Sequence, residues 1–341
     1  MLDISKIIEK YKKQYHAGPK PAEVIEQPLP ASNIVTAGAV SSDKKERFSS
    51  TVSTLYAEGL SLAKRIYQLG LEIEKNLVFS TEGLVDKIIQ ELNTEKKELL
   101  ALFFRDTPPG ENYLCCHALN SCILSIELGL GSGFNAPKLQ EIGIAAFLHD
   151  VGLIKIADII MKTQPLSPKE RAILIEHPFS GVEMLKKNCP SIPTRVLGII
   201  EQVYEQCDGQ GYPRGLTAGL IKEEAQLVGL AQVYETLTHT RPWRERFSPP
   251  LALKEILSQK EKFNSFFLKL LIQRMGFYPY GTQVRLNTKE IATVVMVNPE
   301  APFSPTLKIT LDNNGRELEP ARIINLAETR GAIYIEECVT F

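Results

Sequence analysis

At Gly276 the apolar periodicity of this chain changes. Upstream, hydrophobic residues recur at helical spacing over 112–130, 138–151, 167–188, 192–206 and 221–239, with two more segments between Pro250 and Gly276, all punctuated by proline or glycine. Downstream, GTQVRLN, EIATVVMV, TLKITLD and EPARIINL alternate with a period of two, separated by turn residues such as Asn313, Asn314 and Gly315. The expected fold class is therefore mainly α, a helical core followed by a small C-terminal antiparallel β domain. With 341 residues and 44% apolar content, the chain can bury a large core and still divide into domains.

Ahead of that core, Val52, Leu55, Leu60, Ala63, Ile66, Leu69 and Leu71 fall at helical spacing. A second such segment covers Leu84 to Phe104 before Pro108, Pro109 and Gly110 stop it, which predicts a two-helix N-terminal module. Residues 1–17 support a short amphipathic helix through Ile4, Ile7, Ile8 and Tyr11, and residues 18–45, rich in Pro, Ala, Ser and Val, read as a tether. The expected division is a flexible tail over 1–45, a helical module over 46–110, a helical domain over 111–277 and a β domain over 278–341.

Charge excludes some partners. With 39 basic and 40 acidic residues, nothing global attracts a nucleic acid polymer or an anionic membrane, so a polyanionic ligand must be held by local cations. The N-terminus lacks the apolar run of a signal peptide, and no stretch offers the ~18–20 uncharged apolar residues of a membrane span. A cytoplasmic protein is expected. The six cysteines form no CxxC pair, which suits reduced thiols.

His149 and Asp150 end the apolar run Ile142 to Leu148. A vicinal imidazole and carboxylate suit a divalent metal, because the carboxylate can bridge two ions while the imidazole binds one. His117, in CHALNSCILSIELGLG, precedes them; His177, in EHPFSG, and DGQGYPRGL, from Asp208 to Leu216, follow. Taken singly these are ordinary features: His117 reads as a core or surface histidine, and Cys115, Cys116 and His117 diverge around a helix and cannot aim at one ion. The DGQGYP run alone is a Gly- and Pro-containing turn in which Tyr212 simply packs.

In this order and spacing, however, the residues over about 112–276 resemble the HD-GYP family of cyclic-di-GMP phosphodiesterases. The resemblance implies an HD-superfamily helical core and a divalent metal, iron, manganese or another, held by His117, His149, Asp150 and His177. The family's paired histidines fall here on Val203 and Tyr204, and its late aspartate on Gln232, a weak ligand. The lysine of its HDxGK motif is Leu153, and Thr217 and Ala218 replace a basic residue and a glycine. Glu205, Asp208, Gly209, Gly211, Tyr212, Pro213, Arg214 and Arg241 keep the family pattern and would form a substrate or partner loop, with Gly209 and Gly211 able to take positive φ.

No catalytic residue is assigned by these positions. With three ligand positions substituted, full metal occupancy is not expected, and the reading is a catalytically impaired pseudoenzyme of cyclic-di-GMP signalling that regulates or docks. The partners implied are GGDEF-type or other signalling proteins, through the GYP loop, and cyclic-di-GMP itself. The alternative is an active metal-dependent phosphohydrolase, either a cyclic-di-GMP phosphodiesterase or a mononuclear phosphoesterase using His117, His149 and Asp150. The β domain is expected to cap the helical core.

Overall fold

The computed structural model of the chain describes residues 49–68, 76–94, 96–105, 107–108 and 110–340. The helix and tether expected over 1–45 lie outside the described residues.

Three helices open the described chain. Helix α1 (Ser50–Tyr67) starts where the Ser49 side chain accepts the Val52 amide, as an N-cap should. It is followed by α2 (Leu77–Thr94) and α3 (Lys96–Phe103), so the segment expected to begin at Leu84 starts earlier and is two helices rather than one. Their apolar stripes, including Val52, Ile66, Val85, Ile88 and Leu99, are buried in the same core as the helices that follow.

The centre of the molecule is α4 (Tyr113–Gly131), capped by Asn112 and apolar nearly all round. A helix of that kind must be enclosed by others. Among the described residues it is the one helix long and apolar enough to cross a membrane, yet it lies in the core. Its buried Glu127 is bound by Lys96 of α3 at 2.6 Å and by Arg274 at 2.5 Å, so the charge is not left alone.

Helix α5 (Ala136–Leu148) packs on α4 and stops at His149. The chain then tightens into a 3₁₀ turn, Val151–Ile156, where a continuous helix to 151 was expected. A short α6 (Ala157–Ile160) follows. The helix expected over 167–188 is two: α7 (Pro168–Ile175), opened by a Ser167–Glu170 capping box, and α8 (His177–Asn188). Pro178 explains the break, since it removes an amide and disfavours helical geometry in the residue before it. Helix α9 (Thr194–Ile200) ends sooner than the expected 206, because the chain leaves it to build the DGQGYP loop. Helices α10 (Glu223–Thr238), α11 (Pro249–Ser258) and α12 (Ser265–Met275) complete the core.

Gly276, at φ 68°, ends α12 and turns the chain into the sheet. Strands β1 (Gln283–Leu286), β2 (Ile291–Met296), β3 (Thr306–Leu311), β4 (Glu317–Asn325) and β5 (Ile335–Thr340) form an antiparallel sheet in the order β4-β3-β2-β1-β5. The register pairs Val284 with Ala292 and Val294 with Leu307, so one face carries the buried Val284, Ala292, Val294, Leu307 and Ile309. Strand β5 had no counterpart in the sequence reading; Glu336 and Glu337 interrupt its alternation. Phe277 stacks on Phe303 with ring centroids 3.9 Å apart, and the apolar core runs unbroken from the helices into the sheet.

Candidate metal centre

The site lies where the ends of α5 and α8 meet the faces of α4 and α10. His117 projects from buried α4, His149 and Asp150 follow the end of α5, and His177 opens α8. All four are buried. His117 Nε2 lies 3.2 Å from His149 Nε2 and 3.5 Å from Asp150 Oδ2; Asp150 Oδ1 lies 3.5 Å from His149 Nε2 and 3.4 Å from His177 Nε2. His117, His149 and Asp150 form a group tight enough to hold one metal ion.

In each histidine the other ring nitrogen is already engaged. His149 Nδ1 donates to the Ala146 carbonyl at 2.8 Å and His177 Nδ1 to the Leu174 carbonyl at 2.7 Å. His117 Nδ1 donates to the Glu235 carboxylate of α10. The proton therefore sits on Nδ1, and three Nε2 lone pairs face an anionic carboxylate. Burial, opposed by Asp150, brings the His149 imidazole down to about 4, leaving the neutral form that ligates. Burial pushes the Asp150 carboxyl up, and it is held well below the usual carboxylate range only as far as His149, His177 and His117 carry positive charge; with these rings neutral, a cation would have to supply it. Among the described residues His177 Nε2 has no hydrogen-bond partner. Acceptors converging in a buried space are costly without a positive charge among them, so these residues fit a divalent cation.

The Tyr204 hydroxyl is a donor that does reach them. It bonds to Asp150 Oδ1 at 2.5 Å, its ring lies edge-on to His177 with centroids 4.7 Å apart, and it stacks on Tyr212 at 5.0 Å. Burial, then the Asp150 charge, pushes this phenol well above its ordinary value, so it stays a neutral donor. Val203 beside it is buried. Gln232 is buried and lines the same cavity.

Glu235 has no counterpart in the sequence reading. Burial raises its carboxyl, but Arg241 and then His117 outweigh this and hold it well below the usual range. Arg241 donates to the same oxygen that holds His117. Arg241, expected with the loop, is thus a buried partner of Glu235, its guanidinium 5.3 Å from the Tyr113 ring.

The DGQGYP loop is held largely by its own side chains. Glu205, expected to serve a ligand, accepts the Arg214 and Leu216 amides, each at 2.7 Å, and so clamps the loop backbone. Asp208 Oδ1 accepts the Gln210 amide at 3.0 Å. Gly209 takes φ 78° as expected, but Gly211 does not take positive φ; it is required instead because a Cβ there would lie 2.2 Å from the Gln206 nitrogen. Pro213 follows the stacked Tyr212, and the half-exposed Arg214 pairs with Glu201 at 2.9 Å. Over the candidate metal ligands lies a cavity of about 230 Å³, walled by Tyr204, Tyr212, Trp243, Leu166 and Leu174 among others. Leu153 lines it where the family pattern has lysine.

Comparison with known proteins places these residues. Residues 116–265 match the HD domain family, and residues 283–341 match the KOW domain associated with HD domains. The chain is 26% identical over 244 residues to the cyclic di-GMP phosphodiesterase PA4108 of Pseudomonas aeruginosa, covering 71% of this chain and 58% of that protein. It is 27% identical over 213 residues to the cyclic di-GMP phosphodiesterase PdeB of Borreliella burgdorferi, covering 62% and 56%. The chain thus spans less than two thirds of the length of these relatives. Its fold is similar to that of Bd1817, an HDG"Y"P protein from Bdellovibrio bacteriovorus, with a TM-score of 0.53 at 20% identity, over 64% of this chain and 70% of that one.

Proposed function

Because this chain belongs to the HD-GYP family of HD-domain proteins, we propose that it is a degenerate member holding one divalent cation on His117, His149 and Asp150. In this reading it works in the cytoplasm as a regulatory or docking protein of cyclic di-GMP signalling, without the two-metal hydrolysis of cyclic di-GMP. The observation that carries the reading is the Tyr204 phenol on Asp150 Oδ1. That oxygen is the one beside His177, and a second cation on Asp150 would have to displace from it a half-buried tyrosine that stacks on Tyr212 and meets His177 edge-on. Val203 offers no replacement ligand. Leu153 adds a second argument, since it presents an apolar wall to a dianionic ligand where a lysine would neutralise charge.

When bound, the cation supplies Lewis acidity toward a phosphate oxygen. The chain's own residues hold His117 in place through Glu235 and Arg241, and α10 and the loop contribute to the cavity wall. Docking onto GGDEF-type or other signalling proteins would use the outer side of the loop, where Arg214 and Leu220 are exposed; Tyr212 is turned inward onto Tyr204.

Metal analysis and turnover test the reading together. Purified protein loaded with Mn²⁺ or Fe²⁺ should carry one ion per chain and leave cyclic di-GMP uncut. Two ions per chain, or turnover of ~1 s⁻¹ or above, would overturn it. A second reading, hydrolysis of a smaller phosphoester by the one-metal site, is favoured by the three-ligand group opening on a cavity. Release of nitrophenol from a nitrophenyl phosphate, abolished by Asp150→Ala, would favour it.

A further inference from the structure

Helix α5 leaves its last carbonyls without partners inside the helix, as every helix end does. Two of them are satisfied in a particular way. The Ala146 carbonyl accepts the His149 ring N–H, and the Phe147 carbonyl accepts the hydroxyl of Tyr67, at 2.9 Å. Tyr67 is the last residue of α1 and is 5% exposed. One hydroxyl therefore ties the end of α1 to the last turn of α5, from which the two vicinal metal-ligand candidates emerge. Asp150 itself sits at φ −96°, ψ 8°, outside regular helix, so the chain there is set by its bonds and not by helix propagation.

We propose that Tyr67 is a positioning residue of the metal centre, and that α1 sets metal affinity through its hydroxyl. The inference rests on the reading that His117, His149 and Asp150 hold a divalent cation. Tyr67 lies well upstream of the segment matched as an HD domain, residues 116–265, so the coupling belongs to the N-terminal helices of this chain. Helix α1 is also tied to the core elsewhere, by Lys64–Glu111 at 2.6 Å and by the Tyr56 hydroxyl on Asn120 at 2.9 Å. Tyr67 bonds to the α5 carbonyl two residues before His149. By linkage, whatever shifts α1 shifts the metal equilibrium, and metal binding in turn holds α1.

The full-length chain tests this with Co²⁺ as probe, its affinity measured by chelator competition and its coordination by visible absorption. Tyr67→Phe keeps the ring and removes the hydroxyl; we expect affinity to fall about tenfold or more and the cobalt bands to change. Val52→Ala loosens the same helix at a fully buried position away from the site, and should lower the melting temperature while leaving affinity and bands as in wild type. Equal affinity in Tyr67→Phe and wild type overturns the coupling, and so does an equal loss in both variants, which would mark general loosening. Hydrogen exchange on the unmodified chain reads the same coupling without a substitution. Co²⁺ should slow exchange in the last turn of α1, and unchanged exchange there overturns the proposal even if the Tyr67 variant does not fold. Failure of the metal reading looks different: Asp150→Ala then binds Co²⁺ as wild type does, or wild type binds none, and the coupling falls with it.

Discussion

A second cation on Asp150 would compete with the Tyr204 hydroxyl for the same carboxylate oxygen. The phenol is half-buried, stacked on Tyr212 and neutral, so it holds that oxygen without bringing charge into the site. Restoring imidazoles should reverse the outcome. In a Val203→His, Tyr204→His double variant we expect metal content to rise from one ion per chain to two, measured by elemental analysis after gel filtration. A variant that folds and still carries one ion would show that something besides these two side chains excludes the second. The same residues show what the sequence could tell. Singly His117, His149, Asp150 and His177 read as ordinary residues, and it was their order and spacing that made them legible as candidates. Glu235 and Tyr67 were not, because a residue that supports a ligand from another helix has no spacing relation to it. The one trace Glu235 left was a carboxylate inside the apolar run of α10, where a buried charge needs a partner.

Packing between elements depends on closeness that only small residues allow. The 3₁₀ turn after Asp150 meets α8 through Gly152, where a Cβ would lie 2.0 Å from the His177 carbonyl oxygen and 2.9 Å from the Gly181 nitrogen. These are backbone atoms and cannot swing away. Gly152→Ala should therefore separate the turn from α8, destabilise the chain by at least ~1–3 kcal/mol, and move His177 away from Asp150. Denaturant unfolding reads the first effect. Loss of stability below ~0.5 kcal/mol would show that the two elements slide apart at little cost. The glycine was visible in the sequence, but its partner was not, since nothing local says which backbone approaches it. The same limit explains the misjudged elements. The break between α7 and α8 was signalled by Pro178, whereas β5 was hidden because an edge strand with Glu336 and Glu337 does not show a clean alternation.

At the scale of the whole molecule, the boundary at Gly276 divides the secondary structure without dividing the core. Buried residues from Val52 in α1 to Ile335 in β5 belong to one apolar cluster, so the N-terminal helices, the metal centre and the sheet share neighbours. Neither flank has a separate core to unfold around. Calorimetry should accordingly give one transition with matching calorimetric and van't Hoff enthalpies, and a separate early melt of the sheet or of α1–α3 would disprove the shared core. The metal should act on that transition as a unit. A cation that binds only the native chain stabilises it by about 2.7 kcal/mol at a hundredfold excess over its dissociation constant, enough to raise the melting temperature by a few degrees. Chelator should remove the rise, and Asp150→Ala should show none. A rise that survives in Asp150→Ala would place the stabilising ion somewhere other than the His117–His149–Asp150 group.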